Sequence, residues 1–255
     1  MSDLVSPPVT TEEPQRRPSL WSQMIDVITA PVDLFTQLRP LPASMGTGFA
    51  VVCLTAFLVV LVNSSLLFSK GAMEDVMRRE EKKLNAQVAQ GKISAADAAT
   101  AAERMRGISP ILFAVIGAVG GAIATVIVSF CWALVVFLAG KILGGPISFA
   151  RAYELTGLAF VIQCFAAVVG GGLIMLRDSL TLPTAALFIE DFDPGSKLHN
   201  LLQALAPFTI WFVAVLGIGL ACSSGLSIRK CLIALLGFWV VKTIILVSAG
   251  WGQFA

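Results

Sequence analysis

The fifty residues from Leu201 to Gly250 leave this chain few ways to fold. No Asp, Glu, Lys or Arg lies between His199 and Arg229, and Ala206 to Cys222 is almost wholly apolar. A hydrocarbon core about 30 Å thick takes roughly 20 such residues at 1.5 Å each. The run stops at the turn Ser223-Ser-Gly-Leu-Ser-Ile-Arg-Lys230 and resumes from Cys231 to Ala249. In lipid every backbone amide must be satisfied within its own segment, so each run is a helix. The pair is an antiparallel hairpin with a short basic turn. Short loops rich in Lys and Arg stay on the cytoplasmic side, which predicts the turn inside and the C-terminus outside.

Three further stretches read the same way. A first span covers about Gly46–Phe68, within the thirty uncharged residues between Arg39 and Lys70. A second lies in Ile108–Gly140, 33 residues without a charge, too short for two crossings and long for one. A third runs through Leu155–Leu176. Charged residues make up only 13% of the chain, about half the share of a soluble domain. The fold class is therefore all-α: a polytopic membrane protein built as a five-transmembrane-helix bundle. A net charge of +2, with no basic stretch interleaved with aromatics, excludes a nucleic-acid partner.

Loops agree with the hairpin's orientation. The predicted inner segments carry Arg16, Arg17, Arg39, Lys141, Arg151, Arg229 and Lys230; the outer loop 177–200 has only Arg177 and Lys197 against four acids. The N-terminus is predicted cytoplasmic and the C-terminus outside. Within the outer loop, Leu180–Phe188 is apolar but too short to cross, and is expected at the interface or over the bundle.

Residues 1–18, with Pro7, Pro8, Pro14 and Pro18, read as a disordered tail, with no apolar core and cleavage site of a signal peptide. Over 19–40 the pattern changes. Trp21, Met24, Ile25 and Ile28 share one helical face, Pro31 suits the start of a second helix, and Leu34, Phe35 and Leu38 continue the spacing. This is read as a pair of amphipathic interfacial helices, or else as helices packed under the bundle. Residues 41–255 then form the membrane domain, interrupted by a charged helical hairpin at 70–107. That insertion holds eight Lys/Arg and six Asp/Glu, with Glu-to-Lys/Arg spacings of i,i+3 and i,i+4. Gly91-Lys92 breaks it, and Ser94 with Asp97 makes a capping-box-like restart. It is either a docking stalk or a solvent extension of two spans.

Few residues in the spans could carry function. Lys242 is the formal charge well inside a span, about 22 Å from Ser227 and level with Thr209–Trp211. An ammonium at that depth is a functional candidate by default, or a lysine snorkelling to headgroups or resting on Trp211. Lys242, Gln163 and Trp211 are the candidate lipid or solute contacts. Gln163 is otherwise an interhelical hydrogen-bond donor. Arg151 and Glu154, three residues apart, are a candidate inner-interface ion pair. Gly117, Gly121 and Thr125 form a small-residue row that builds either the bundle or a dimer. The five cysteines (Cys53, Cys131, Cys164, Cys222, Cys231) are scattered singly and read as core residues. His199 reads as solvated. No catalytic, cofactor-binding or metal-binding set is legible, and an enzyme is not expected.

Taken in order, four stretches resemble the Yip1 family, specifically its short prokaryotic members. They are Trp21…Met24…Val27…Pro31…Phe35, Gly144-Gly-Pro-Ile-Ser-Phe-Ala-Arg151, Pro207-Phe-Thr-Ile-Trp211 with Gly217-Ile-Gly219, and Leu226-Ser-Ile-Arg-Lys230. The resemblance covers the chain from about residue 20, apart from the charged hairpin. Ile162-Gln163 stands where members often place a proline in span three. The long cytoplasmic region of eukaryotic members, tied to recruiting Rab-type GTPases, has no counterpart. The resemblance implies a five-span integral membrane protein of a bacterial inner membrane and supplies no catalytic residues. Function is expected to be that of a noncatalytic membrane scaffold or adaptor, in membrane organisation or trafficking. The alternative is a transporter, channel or lipid-handling protein with a polar cleft around Lys242. Expected partners are the lipid bilayer and a membrane protein or a second copy of the chain.

Overall fold

The computed structural model describes residues 16–180, 183–189 and 192–249. Most of the tail assigned to 1–18, part of the apolar stretch 180–188, and Glu190 and Asp191 of the outer loop lie outside the described residues. Among the described residues every regular element is helical.

Two short helices come first. α1 (Leu20–Thr29) starts at Ser19, whose side chain accepts from the Ser22 amide, and α2 (Pro31–Leu38) carries Pro31 in its first turn. Five helical stretches long and apolar enough to cross a bilayer follow. They are α3 (Met45–Ser65), α6 (Pro110–Ile142), the α7–α8 pair (Phe149–Ala159 and Val161–Arg177), α10 (Pro207–Ser224) and α11 (Ile228–Ser248). The protein is thus an integral membrane protein of five apolar helices. Between the first two spans, α4 (Lys70–Ala89) and α5 (Ala95–Gly107) form the charged hairpin, and α9 (Lys197–Ala204) precedes α10.

Successive spans alternate in direction, which gives the bundle two ends. One, the arm face, gathers α1–α2, the link 39–44, the loop 143–148 and the turn 225–227. The other, the hairpin face, gathers α4–α5 and the loop 178–206. At the arm face Gly225 ends α10 with φ +71, a left-handed geometry that glycine adopts without steric cost, and the Arg39 guanidinium lies against it.

The third and fourth spans are the centre: half of each apolar window is buried inside the protein, against 11% for α6. Every residue from Arg151 to Ala159 in α7 is buried. At mid-height Phe212 of α10 meets Trp132 of α6 and Phe160 edge-on, at 5.4 and 5.3 Å between centroids. Phe160 is the joint between α7 and α8, where its amide bonds the Thr156 and Gly157 carbonyls together. The single span expected over Leu155–Leu176 is therefore longer, beginning at Phe149, and jointed.

Glycine sets how closely the helices approach. A Cβ on Gly157 would lie 2.2 Å from the Gly48 Cα, and one on Gly48 would lie 2.8 Å from the Tyr153 carbonyl oxygen. So α3 and α7 cross backbone on backbone. Gly117 and Gly121 of α6 face Asn63 and Val59 of α3, where added Cβ atoms would sit at 3.1 and 2.8 Å. That row builds the bundle itself. Asn63 meanwhile donates to the Val59 carbonyl. The outward side of α6 carries Ile116, Val119, Ile123 and Ile127, a lipid-facing stripe. Cys53 and Cys131 also face outward, unlike the buried Cys164 and Cys231, because a lipid-exposed position suits a small apolar residue as well as a core one.

The charged hairpin is tied down at its base. Asp178 ends α8 with φ +44, a region Asp visits more than most residues. Its Oδ1 accepts from the Ser69 hydroxyl at 2.7 Å and the Gly71 amide at 3.2 Å. Asp75 Oδ2 accepts from the Leu180 amide at 3.0 Å, while Arg79 donates to the Leu180 carbonyl at 2.9 Å and covers the Phe192 ring. Burial lowers the Arg79 guanidinium from its usual value, with Asp75 pulling it back up. Each hydrogen bond to a charged group is worth about 1.5–3 kcal/mol. Asp178→Ala is accordingly expected to speed amide hydrogen exchange over the first turns of α4 at least about ten-fold. Exchange in α10 should stay unchanged.

Candidate functional site

The charged groups buried deepest lie at the arm face. Ser148 caps α7 by accepting from the Arg151 amide, which starts the helix so that Arg151 and Glu154, three residues on, share a side. Arg151 donates to one Glu154 oxygen at 2.7 Å. The other oxygen accepts from Arg17, which reaches in from the segment before α1. Glu154 is fully buried. Spare donors are used as well, Arg17 on the Pro42 carbonyl and Arg151 on the Leu41 carbonyl. One carboxylate thus holds two guanidiniums, and these cap the link between α2 and α3. An isolated carboxylate here would be driven out or neutralised; with both oxygens engaged it is retained.

The arm is seated by packing too. Val27, Leu34, Phe35 and Leu38 are buried in the main core, and Phe35 lies against Gly219 of α10. The buried side of α1 is Gln23 and Val27, with Met24 and Ile28 at its edge. Gln23 donates to the Pro18 carbonyl at 2.7 Å. Trp21 and Ile25 point the other way and remain 72% and 58% exposed. The apolar stripe seen in the sequence is therefore divided: half meets the bundle and half is displayed. With α2 against the last turns of α10, the arm is inset among the helices.

Both oxygens of the Glu154 carboxylate are engaged, and among the described residues no group of three or more His, Cys, Asp or Glu converges. His199 accepts from the Asp193 amide through Nδ1 at 3.0 Å. Of the other candidates, Gln163 lines a cleft of about 250 Å³ between α3, α8 and α10. Trp211 and Lys242 are not in its wall. Lys242 sits in the fifteenth position of α11, partly buried. Trp211 is 36% exposed on α10. So Arg151 and Glu154 come together, joined by an Arg17 that sequence reasoning missed, whereas the cleft that Gln163 lines includes neither Lys242 nor Trp211. The signal for Arg17 was faint: an Arg pair just before a helix cap, and one carboxylate with one cation at the mouth of an apolar span.

A bundle of five apolar helices among the described residues, with an inset helical arm, defines a polytopic integral membrane protein. The Yip1 domain family model matches residues 25–250. The chain belongs to the Yip1 family. No curated protein and no solved structure matches it.

Proposed function

We propose that the protein is a noncatalytic membrane scaffold or adaptor, serving membrane organisation or trafficking. The observation that carries this is the Arg17–Glu154–Arg151 cluster. It fixes the arm to the bundle, so that Trp21 and Ile25 are presented as a preset surface instead of a free tail. Ordering the arm in advance lowers the entropic cost of meeting a partner. The partner is a second membrane protein or another copy of this chain, in contact with the bilayer. A transporter or channel working through Lys242 has less support, since neither the cleft that Gln163 lines nor the hollow beside Arg79 includes that residue.

In this reading the arm face is cytoplasmic and the hairpin face outside a bacterial inner membrane. Seven cations in the arm-face segments against two in the loop 177–200 support it. A photo-crosslinking residue placed at Trp21 tests the role in native membranes. The expected product is a discrete protein adduct that disappears in Ile25→Asp while the bundle keeps its melting temperature. Adducts with lipid alone would overturn the reading.

A further inference from the structure

Toward the hairpin face two hollows lie side by side. The larger, about 480 Å³, lies between α4 and the loop after α8, with Asp75, Arg79, Arg177 and Thr184 in its wall. That volume falls in the range of small-molecule pockets. The smaller is the 250 Å³ cleft between α3, α8 and α10, lined mainly by small and apolar side chains such as Val62, Ala167, Gly170 and Phe208. Thr184 borders both, so a polar chamber and an apolar slot are neighbours.

The charges in the chamber are not alike. Asp75 is engaged by the Leu180 amide and by Arg78. Arg79 is held by the Leu180 carbonyl and lies over Phe192. Arg177, the last residue of α8, is exposed and makes no hydrogen bond or ion pair among the described residues. A guanidinium free to turn at the end of a span is suited to a phosphate, which it can grip with two parallel N–H donors. Leu176 and Phe188, 86% and 87% exposed, flank this region with apolar surface, as suits the headgroup boundary of a bilayer.

We propose that the hairpin face carries a glycerophospholipid site, with the lipid phosphate on Arg177 beside Arg79 and one acyl chain in the slot lined by Gly170. A free phosphate would use the chamber alone and leave the slot empty; the apolar slot beside the chamber at Thr184 favours the lipid. The site is independent of the scaffold reading.

The test uses the full chain in detergent, titrated with phosphatidylglycerol carrying a fluorophore on its acyl chain. Binding is expected to saturate and to be displaced by unlabelled phosphatidylglycerol. Arg177→Ala, on an exposed side chain, should weaken it about ten-fold or more. Gly170→Leu and Ala167→Leu, which fill the slot, should weaken it comparably in whichever variant keeps the wild-type melting temperature. Lys242→Leu should leave it unchanged. Non-saturating binding, an unaltered Arg177→Ala, or a loss in Lys242→Leu would each overturn the site. Displacement by inorganic phosphate as readily as by lipid would assign the chamber to a free anion and overturn the lipid.

Discussion

Glu154→Ala is expected to lower the unfolding free energy of the detergent-solubilised protein by about 3–5 kcal/mol, the cost of leaving buried charges without their partner. Here two guanidiniums would be stranded, because Arg17 and Arg151 converge on that one carboxylate. The loss should appear as a lower melting temperature and as protease sensitivity in the segment before α1, which the carboxylate anchors. Removing the charges together is a different matter. A triple variant, Arg17→Met, Arg151→Met and Glu154→Leu, should recover most of the stability, since apolar residues can replace a buried ionic triad at little cost. Failure of Glu154→Ala to destabilise would mean that the two arginines reach solvent. Failure of the triple variant to recover would show that the capped Leu41 and Pro42 carbonyls carry more of the energy.

An effect of similar size is expected at the crossing of α3 and α7. Gly157→Leu places a side chain where a Cβ would already stand 2.2 Å from the Gly48 Cα. Backbone cannot swing aside as a flexible side chain can, so the helices must part and the fully buried α7 loses its neighbour. The cost should reach at least about 3 kcal/mol, the upper part of the overpacking range. It is read as aggregation on size-exclusion chromatography or a steep fall in melting temperature. Gly172→Ala is the control: nothing lies within 4 Å of its added Cβ, and alanine is the better helix former. A folded, monodisperse Gly157→Leu protein would show that α3 and α7 are not in backbone contact.

Much of the architecture was legible because lipid removes alternatives. Charge-free runs place all five spans, and their boundaries fall close to the helices found except in the third, which begins six residues earlier and takes in Arg151 and Glu154. Proline marked α2, and Ser94 with Asp97 marked α5: the Ser94 hydroxyl accepts from the Asp97 amide and donates to its carboxylate. What stayed hidden is tertiary. Gly157 stands alone and Gly48 has only Gly46 beside it, on another face of the helix, whereas Gly117 and Gly121 repeat along one face and could be recognised. The Asp178 tether joins residues 109 apart in the chain, and only the left-handed turn after α8 aims that carboxylate at Ser69. The arm's helical stripe was correctly spaced but ascribed to a single surface. Packing beside α7 and α8 instead turned Gln23 and Val27 inward and left Trp21 and Ile25 outside. For Arg151 and Glu154 the local pairing could be read from their spacing; the third partner came from the far end of the chain.

The 33 residues of α6 span about 50 Å. Even leaning by about 40°, the upper end of observed tilts, such a rod projects about 38 Å along the bilayer normal, beyond a hydrocarbon layer of about 30 Å. Its outward flank is greasy from Ile111 onward, so wherever the leaflets cover it whole they must stretch. Each molecule then wears a collar of strained lipid. Two molecules that share one collar shed part of that strain, and in a membrane of uneven thickness both drift toward the thicker patches.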